Sequence, residues 1–167
     1  MITDPGYPFS QTLKAVDFHK PTFVCYRNKD YFDLDEIKEF IKFAKKHSKV
    51  ILHYDSFDES LTNEIDGIHF PSGKLDLIHD YKNKTIIAST HNKEEVLKAK
   101  NADFITFSPI FESKNRKGLG IKALESICKI HKNVIALGGI VSLKEVNEIK
   151  RSCAVGFASI RYFYKGI

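Results

Sequence analysis

The chain has 167 residues, of which 43% are hydrophobic and 28% are charged, with 26 lysines and arginines against 21 aspartates and glutamates. These fractions are typical of a globular domain and exclude disordered and collagen-like chains. A chain of this length can bury enough apolar surface for one core, so the sequence predicts a single domain over residues 1–167.

The predicted strands are short, apolar and often β-branched, which is typical of strands buried on both faces of a parallel sheet. In chain order they cover residues 1–3, 23–27, 50–53, 67–70, 85–88, 104–107, 134–137 and 155–159. Amphipathic helices are predicted between them, and three begin at a capping residue followed three positions later by glutamate: Asp33, Asn92 and Ser142. A further helical face covers residues 121–128, and weaker patterns cover 10–17, 57–65 and 75–81. This strict alternation predicts an α/β fold, a compact (β/α)₈ TIM barrel with an abbreviated first strand and last helix.

The cysteines are three in number, at positions 25, 128 and 153, and form no CxxC motif. This pattern predicts neither a zinc site nor a disulfide framework, and we expect the cysteines to pack as small apolar residues. The first residues lack the basic and apolar segments of a signal peptide, and no apolar run could span a bilayer. We therefore expect a protein of the reducing cytoplasm with no membrane partner.

The net charge of +5 is spread along the chain without a block of like charges. Most of it is expected to be solvated surface, and an anionic small ligand is a better partner for the remainder than a nucleic acid, which would need a basic stripe.

The candidate site lies where the predicted strands end, because active sites of (β/α)₈ barrels form at that edge. Gly138 and Gly139 follow one of the last two strands, and Ile160 and Arg161 follow the other. Glycines allow an anion to approach backbone N–H groups, and phosphate sites recur at this place in the fold. The sequence therefore predicts a phosphate site there.

Two further features belong to the same edge. The loop over residues 112–120 is polar, basic and rich in glycine, and we expect a mobile lid whose Arg116 or Lys117 contacts anionic oxygens of a substrate. His53, His69 and His91 lie at or near strand ends, where an imidazole can move protons near neutral pH, although a structural role also explains each of them.

At these residues the chain resembles the thiamine-phosphate synthase and TenI thiazole tautomerase superfamily, a set of (β/α)₈ barrels. The resemblance extends over nearly the whole chain and depends on the order of short segments, about one per strand end. These segments are residues 3–5, 25–29, 66–70, 89–91, 102–105, 108–111, 136–140 and 155–160.

The resemblance to the synthase implies the coupling of a pyrimidine diphosphate to thiazole phosphate, with release of pyrophosphate and help from Mg²⁺. Arg27 and Lys29 match the cations of the motif that binds the diphosphate, whereas Cys25 stands in place of its glutamine. Asp55 matches one metal-binding aspartate and would ligate Mg²⁺ only in this reaction, while Lys74 stands in place of the second aspartate. An ammonium group there would repel Mg²⁺, and we expect it to pair with Asp55 instead.

The local sequence is closer to the tautomerase branch, in residues 71–73 and 111–119. That branch isomerises a thiazole carboxylate phosphate without a metal. Its catalytic histidine falls at Pro109, so the proton would have to be relayed by another group, for which the candidates are His69, Lys29 and His53. The resemblance also implies substrate contacts for Ser89 and, in the lid, for Ser113 and Arg116.

The resemblance therefore implies thiazole tautomerisation, with no cofactor, slightly ahead of thiamine-phosphate synthesis with Mg²⁺. A barrel that binds a phosphorylated ligand without catalysis is the third alternative. The expected partner in every case is a small phosphorylated thiazole-type ligand. A homodimer is also considered, because an abbreviated last unit could leave an apolar flank for a second copy.

Overall fold

The parallel sheet has seven strands in the computed structural model, which describes residues 1–29, 31–81, 83–113 and 115–167. The strands are β1 Phe23–Tyr26, β2 Lys49–His53, β3 Gly67–Phe70, β4 Thr85–Thr90, β5 Phe104–Phe107, β6 Val134–Leu137 and β7 Gly156–Ala158. They pair in chain order, each parallel to the next, so every crossover connects neighbouring strands. The predicted α/β class is confirmed, and the observed strands agree with the predicted ones to within a few residues at each end.

Among the described residues, four α-helices and three 3₁₀ helices connect the strands, and a fifth α-helix precedes β1. The α-helices are α1 Phe9–His19, α2 Leu34–Ala44, α3 Lys93–Lys98, α4 Gly120–Cys128 and α5 Leu143–Lys150. The 3₁₀ helices, Tyr54–Ser56, Glu59–Glu64 and Ser72–Asp80, follow β2 and β3. The predicted caps are confirmed: Asp33 accepts two N–H groups at the start of α2, Asn92 accepts one in α3, and Ser142 forms a capping box in α5.

The first predicted strand, residues 1–3, is not a strand. Ile2 forms an isolated parallel bridge with Cys25, and its N–H donates to the carbonyl of Ser159 at 3.1 Å, so this segment contacts both edges of the sheet. A turn closed by the N–H of Tyr7 on the carbonyl of Asp4 then redirects the chain before a continuous ladder forms. The predicted last helix is a series of turns over residues 161–166. The structure therefore shows a curled seven-stranded sheet where eight strands were predicted.

Apolar side chains occupy both faces of the sheet. On the outer face, side chains such as Phe40 and Leu52 pack the helices against the strands and are fully buried. On the inner face, Ile51, Ile87 and Ala158 belong to one cluster although their strands are not neighbours. Such side chains meet only where a sheet curls, so the inner face is concave and polar strand-end residues gather around its rim.

The cysteines differ from the prediction. Cys128, at the end of α4, and Cys153, before β7, form a disulfide, whereas Cys25 is free and buried. The two partners are 25 residues apart, and only the packing of α4 beside the entry to β7 brings them together. The expectation of a reducing compartment depended on the absence of such a bond and loses that support. Among the described residues, every helix is too short or too polar to cross a bilayer.

Candidate active site

The loop after β1 carries the two cations Arg27 and Lys29, and hydroxyl groups hold its backbone in place. The N–H of Arg27 donates to Oγ1 of Thr3 at 2.9 Å. The N–H of Asn28 donates to Oγ of Ser56 at 3.0 Å, and this hydroxyl donates to the carbonyl of Asn28 at 2.8 Å. Residues 3–5 belong to the segments of the family resemblance, but the anchoring contacts of Thr3 and Ser56 were not predicted, because one serine or threonine in a loop has no distinctive pattern.

Asp55 follows β2 and faces the same loop. Its carboxylate lies 3.4 Å from Nζ of Lys29, and both side chains are partly exposed, at 37% and 43%. The expected pairing of Asp55 with Lys74 is wrong, because Lys29 supplies the cation and Lys74 lies exposed in the kinked 3₁₀ helix after β3. Partial exposure makes this a weak ion pair that a charged ligand can rearrange.

His53, the last residue of β2, is held as a neutral imidazole. Its Nδ1 accepts the N–H of Asp55 at 3.3 Å, which requires that nitrogen to be unprotonated. Burial lowers the pKa of His53 to about 4; the Asp55 carboxylate opposes this shift, while Lys29 and Arg27 add to it. The 3.5 Å approach of Nδ1 to the Asp55 carboxylate is therefore not an ion pair at neutral pH.

His69, in β3, contacts a side chain at each ring nitrogen. Nε2 lies 2.9 Å from Oγ of Ser89, and Nδ1 lies 3.7 Å from Sγ of Cys25. Burial, together with the neighbouring charges of His53 and Arg27, lowers the pKa of His69 to about 3. Burial also raises the pKa of the Cys25 thiol to about 12, so the thiol keeps its proton and can donate it to Nδ1. In that arrangement Nε2–H donates to Ser89, and the Ser89 hydroxyl proton is available to a ligand.

Gly138 and Gly139 follow β6 with backbone φ angles of 92° and 71°. A Cβ on Gly138 would lie 2.6 Å from Cα of Pro109, and one on Gly139 would lie 2.6 Å from the carbonyl oxygen of Glu112. These glycines are thus required by the close packing of the loop after β5. Their contact with a phosphate stays a prediction.

The loop expected to be a lid contains a tight turn. Ser113 and Arg116 exchange two backbone hydrogen bonds of 3.1 and 2.9 Å, and Arg116 is exposed, whereas Lys114 lies outside the described residues. The base of the loop is closed, because the N–H of Leu119 donates to the carbonyl of Pro109 at 2.8 Å. The turn thus projects from a fixed base.

The two segments predicted to bind phosphate are neighbours in the structure. The hydroxyl of Ser159, directly after β7, donates to the carbonyl of Ile140 at 2.7 Å and accepts the N–H of Tyr162 at 3.2 Å. This links the loop after β6 to the turn that contains Ile160, which is partly buried, and Arg161, which is exposed. The predicted site residues therefore form two groups on one rim, around β1 to β4 and around β5 to β7.

The rim is rich in cationic side chains and contains one predicted metal ligand, Asp55. Asp55 contributes a carboxylate, and the part of the chain that the structure describes contains no group of three His, Cys, Asp or Glu side chains that could hold a metal ion. Mg²⁺ is commonly bound by one or two carboxylates together with substrate phosphates, so Asp55 fits an ion that arrives with a diphosphate.

This arrangement of strands and loops is one that known proteins share. The family model described as thiamine monophosphate synthase matches residues 1–163. The chain belongs to the thiamine monophosphate synthase family. The resemblance found in the sequence is thereby confirmed. A family member from Aquifex aeolicus (strain VF5), named "Putative thiamine-phosphate synthase 2", is 30% identical over 95% of this chain and 91% of its own length.

Solved structures show the same fold at lower sequence identity. Thiamine phosphate pyrophosphorylase from Pyrococcus furiosus superimposes with a TM-score of 0.77 at 21% identity, over 95% of this chain and 83% of its own. (S)-3-O-geranylgeranylglyceryl phosphate synthase from Thermoplasma acidophilum, in complex with sn-glycerol-1-phosphate, gives a TM-score of 0.65 at 13% identity, over 99% and 85% of the two chains. At these identities the likeness concerns the fold alone.

Proposed function

We propose that this family member is a thiamine-phosphate synthase, which joins a pyrimidine carried on a diphosphate to thiazole phosphate. The observation that carries the proposal is the placement of Arg27 and Lys29 on one anchored loop at the carboxyl end of the sheet. Two cations on a fixed loop suit the charge of a diphosphate. The name of the Aquifex protein supports the same reaction.

The reaction requires that the two substrates be positioned and that the charge of the leaving diphosphate be stabilised. The thiazole ring nitrogen attacks the methylene carbon of the pyrimidine, a C–N bond forms, and the C–O bond to the diphosphate breaks with the electron pair leaving on oxygen. No proton is transferred in that step. Arg27 and Lys29 would stabilise the negative charge that develops on the leaving diphosphate.

Mg²⁺ is part of this proposal. Asp55 would hold the ion together with oxygens of the diphosphate, and the bound ion would neutralise part of the leaving group's charge. Lys29, which lies 3.4 Å from Asp55, is placed to move from the carboxylate to the diphosphate when the ion binds.

Thiazole tautomerisation is the second candidate. The contact of His69 Nε2 with Ser89 Oγ at 2.9 Å favours it, because it places an imidazole and a hydroxyl together at the rim. A general base is most effective when its pKa lies near the working pH, and burial lowers the pKa of His69 to about 3 and of His53 to about 4. Because both imidazoles have pKa values far below neutral pH, we rank tautomerisation after thiamine-phosphate synthesis. The family resemblance in the sequence implied the opposite order.

The test is an assay of thiamine phosphate formation from the pyrimidine diphosphate, thiazole phosphate and Mg²⁺. Lys29→Ala should lower kcat/KM by about 10- to 100-fold, the usual effect of losing a hydrogen bond between charged groups. Lys42→Ala, an exposed lysine of α2, is the matched control and should retain activity.

The outcomes separate the three alternatives. Absence of thiamine phosphate together with faster aromatisation of the thiazole carboxylate phosphate tautomer would replace the proposal with tautomerisation. Tight binding of thiazole phosphate without turnover in either assay would indicate a non-catalytic binding protein.

A further inference from the structure

A cavity of about 610 Å³ opens at the amino-terminal end of the sheet, opposite the candidate active site. Lys20 and Pro21, which precede β1, and Val155, which precedes β7, lie at its mouth. Its walls are the inward-facing side chains of several strands, among them Ile51, Ile87, Phe104 and Ile135. This volume falls within the range of small-molecule sites, and the walls are apolar as in most such sites.

Thr106 brings an unsatisfied polar atom to this cavity. The residue is only 2% exposed and lines the cavity from the middle of β5. Its Oγ1 has no hydrogen-bond partner among the described residues. A hydroxyl buried without a partner is costly, and nearly all such groups in folded proteins are satisfied by protein, water or ligand. The hydroxyl is thus an unsatisfied hydrogen-bonding group in the wall of the cavity.

The polar groups at the inner end of the cavity carry no charge, and the cation Lys20 lies at the mouth. Cys25 and His69 both line the cavity. Burial keeps the thiol protonated, with a pKa of about 12, and keeps the imidazole neutral, with a pKa of about 3. A charged group of a ligand at the inner end would lose its hydration and gain no counter-charge from Cys25 or His69.

We propose that the cavity is a second binding site, for an uncharged and largely apolar small molecule whose single hydroxyl or carbonyl group bonds to Oγ1 of Thr106. The apolar body lies against Ile51, Ile87 and Ile135. His69 forms part of the wall between this site and the rim, since its ring lines the cavity while Nε2 contacts Ser89. The inference does not depend on which reaction the rim performs.

The test uses 1-naphthol as the probe, with naphthalene and 1-naphthoate for comparison. Binding is followed by the fluorescence of the probe, since the chain contains no tryptophan. For a ligand of this size we expect a dissociation constant of about 0.1 mM for 1-naphthol. Thr106→Val should weaken 1-naphthol about three- to tenfold and leave naphthalene unchanged, and 1-naphthoate should bind at least about tenfold more weakly than 1-naphthol.

Substitutions that fill the cavity with a larger side chain test whether the probe binds inside it. Ile135→Phe, and independently Ile87→Phe, should remove binding of 1-naphthol while the circular dichroism spectrum stays that of the unchanged protein. Ile130→Phe, a position that is 36% exposed and outside the cavity, is the matched control and should bind as before. The proposal is overturned by absence of 1-naphthol binding, by binding that survives in a folded filling variant, or by a Thr106→Val variant that binds 1-naphthol unchanged.

Discussion

At the scale of single residues, the candidate site is organised around neutral groups beside cations. His53 and His69 lie with ring centroids 5.5 Å apart, and both feel the charges of Arg27 and Lys29. An imidazolium at either position would be buried close to these cations, so protonation is unfavourable. The histidines therefore act as fixed hydrogen-bonding groups, and the positive charge of this part of the rim resides in Arg27 and Lys29.

This predicts a pH dependence of stability. Full stability is expected above about pH 6.5, the ordinary histidine pKa, and the free energy of unfolding should fall as pH drops towards the folded-state pKa values of about 4 for His53 and about 3 for His69. In that interval the unfolded chain binds protons that the folded chain does not. Each histidine contributes up to about 1.4 kcal/mol per pH unit.

The measurement is the midpoint of urea denaturation at pH 7 and at pH 5. The midpoint of the His69→Gln variant should change less between these two pH values than that of the unchanged protein. NMR titration of the ring Cε1–H signals provides the independent check. A midpoint near 6.5 for either ring would contradict this assignment.

At the scale of elements, the loop after β5 is hydrogen-bonded to the end of β6, so each holds the other in position. The N–H of Ile110 donates to the carbonyl of Leu137, and the N–H of Phe111 donates to the carbonyl of Gly138, at 2.9 and 3.0 Å. The loop after β5 lies across the backbone of Gly138 and Gly139, in space that a side chain would fill. The position of the turn containing Arg116 thus follows from the absence of two Cβ atoms.

Replacing Gly138 with alanine tests this packing. Its φ of 92° is unfavourable for any residue with a Cβ, and the new methyl group would meet the backbone of Pro109 at 2.6 Å. Gly138→Ala should therefore lower the free energy of unfolding by at least about 2 kcal/mol, measured by urea denaturation. Gly73→Ala is the control, because a Cβ there meets nothing within 4 Å. Equal urea midpoints for Gly138→Ala and Gly73→Ala would show that the loop after β5 does not pack against Gly138 as described.

At the scale of the whole molecule, the curled sheet creates two ends with different character. The carboxyl end carries cations, glycines and hydroxyls, and the amino end opens into an apolar cavity. His69 contacts both regions. Across the outside of the fold, the disulfide between Cys128 and Cys153 ties α4 to the entry of β7.

The disulfide should stabilise the fold. It joins cysteines 25 residues apart, and a loop of this length corresponds to about 3.5 kcal/mol of unfolding free energy in the chain-entropy treatment. Urea denaturation with and without reductant should show a loss of about this size, and the Cys128→Ala/Cys153→Ala variant should show no reductant effect. Cys25 is the internal control, because this buried thiol should react with iodoacetamide only after unfolding. Three reactive thiols in the unreduced, denatured protein would exclude the bond.

Much of the fold was predictable because its signals are local. The strands β3, β5 and β6 agree with their predicted ranges, since short apolar runs bounded by polar residues have few alternatives. The helix starts at Asp33, Asn92 and Ser142 were predictable because a cap bonds to N–H groups two or three residues away. The family was predictable as well, because its segments recur in order at the strand ends.

What the sequence by itself determined, then, is the order of strands and helices and which polar residues lie on the rim. Only the tertiary structure decided the partners: Lys29 rather than Lys74 for Asp55, Cys153 for Cys128, and the loop after β5 for the two glycines. It also decided that residues 1–3 form one bridge in place of a strand, and that the histidines are buried enough to stay neutral. These are contacts between residues far apart in the chain, whose distances and burial depend on how all seven strands curl together.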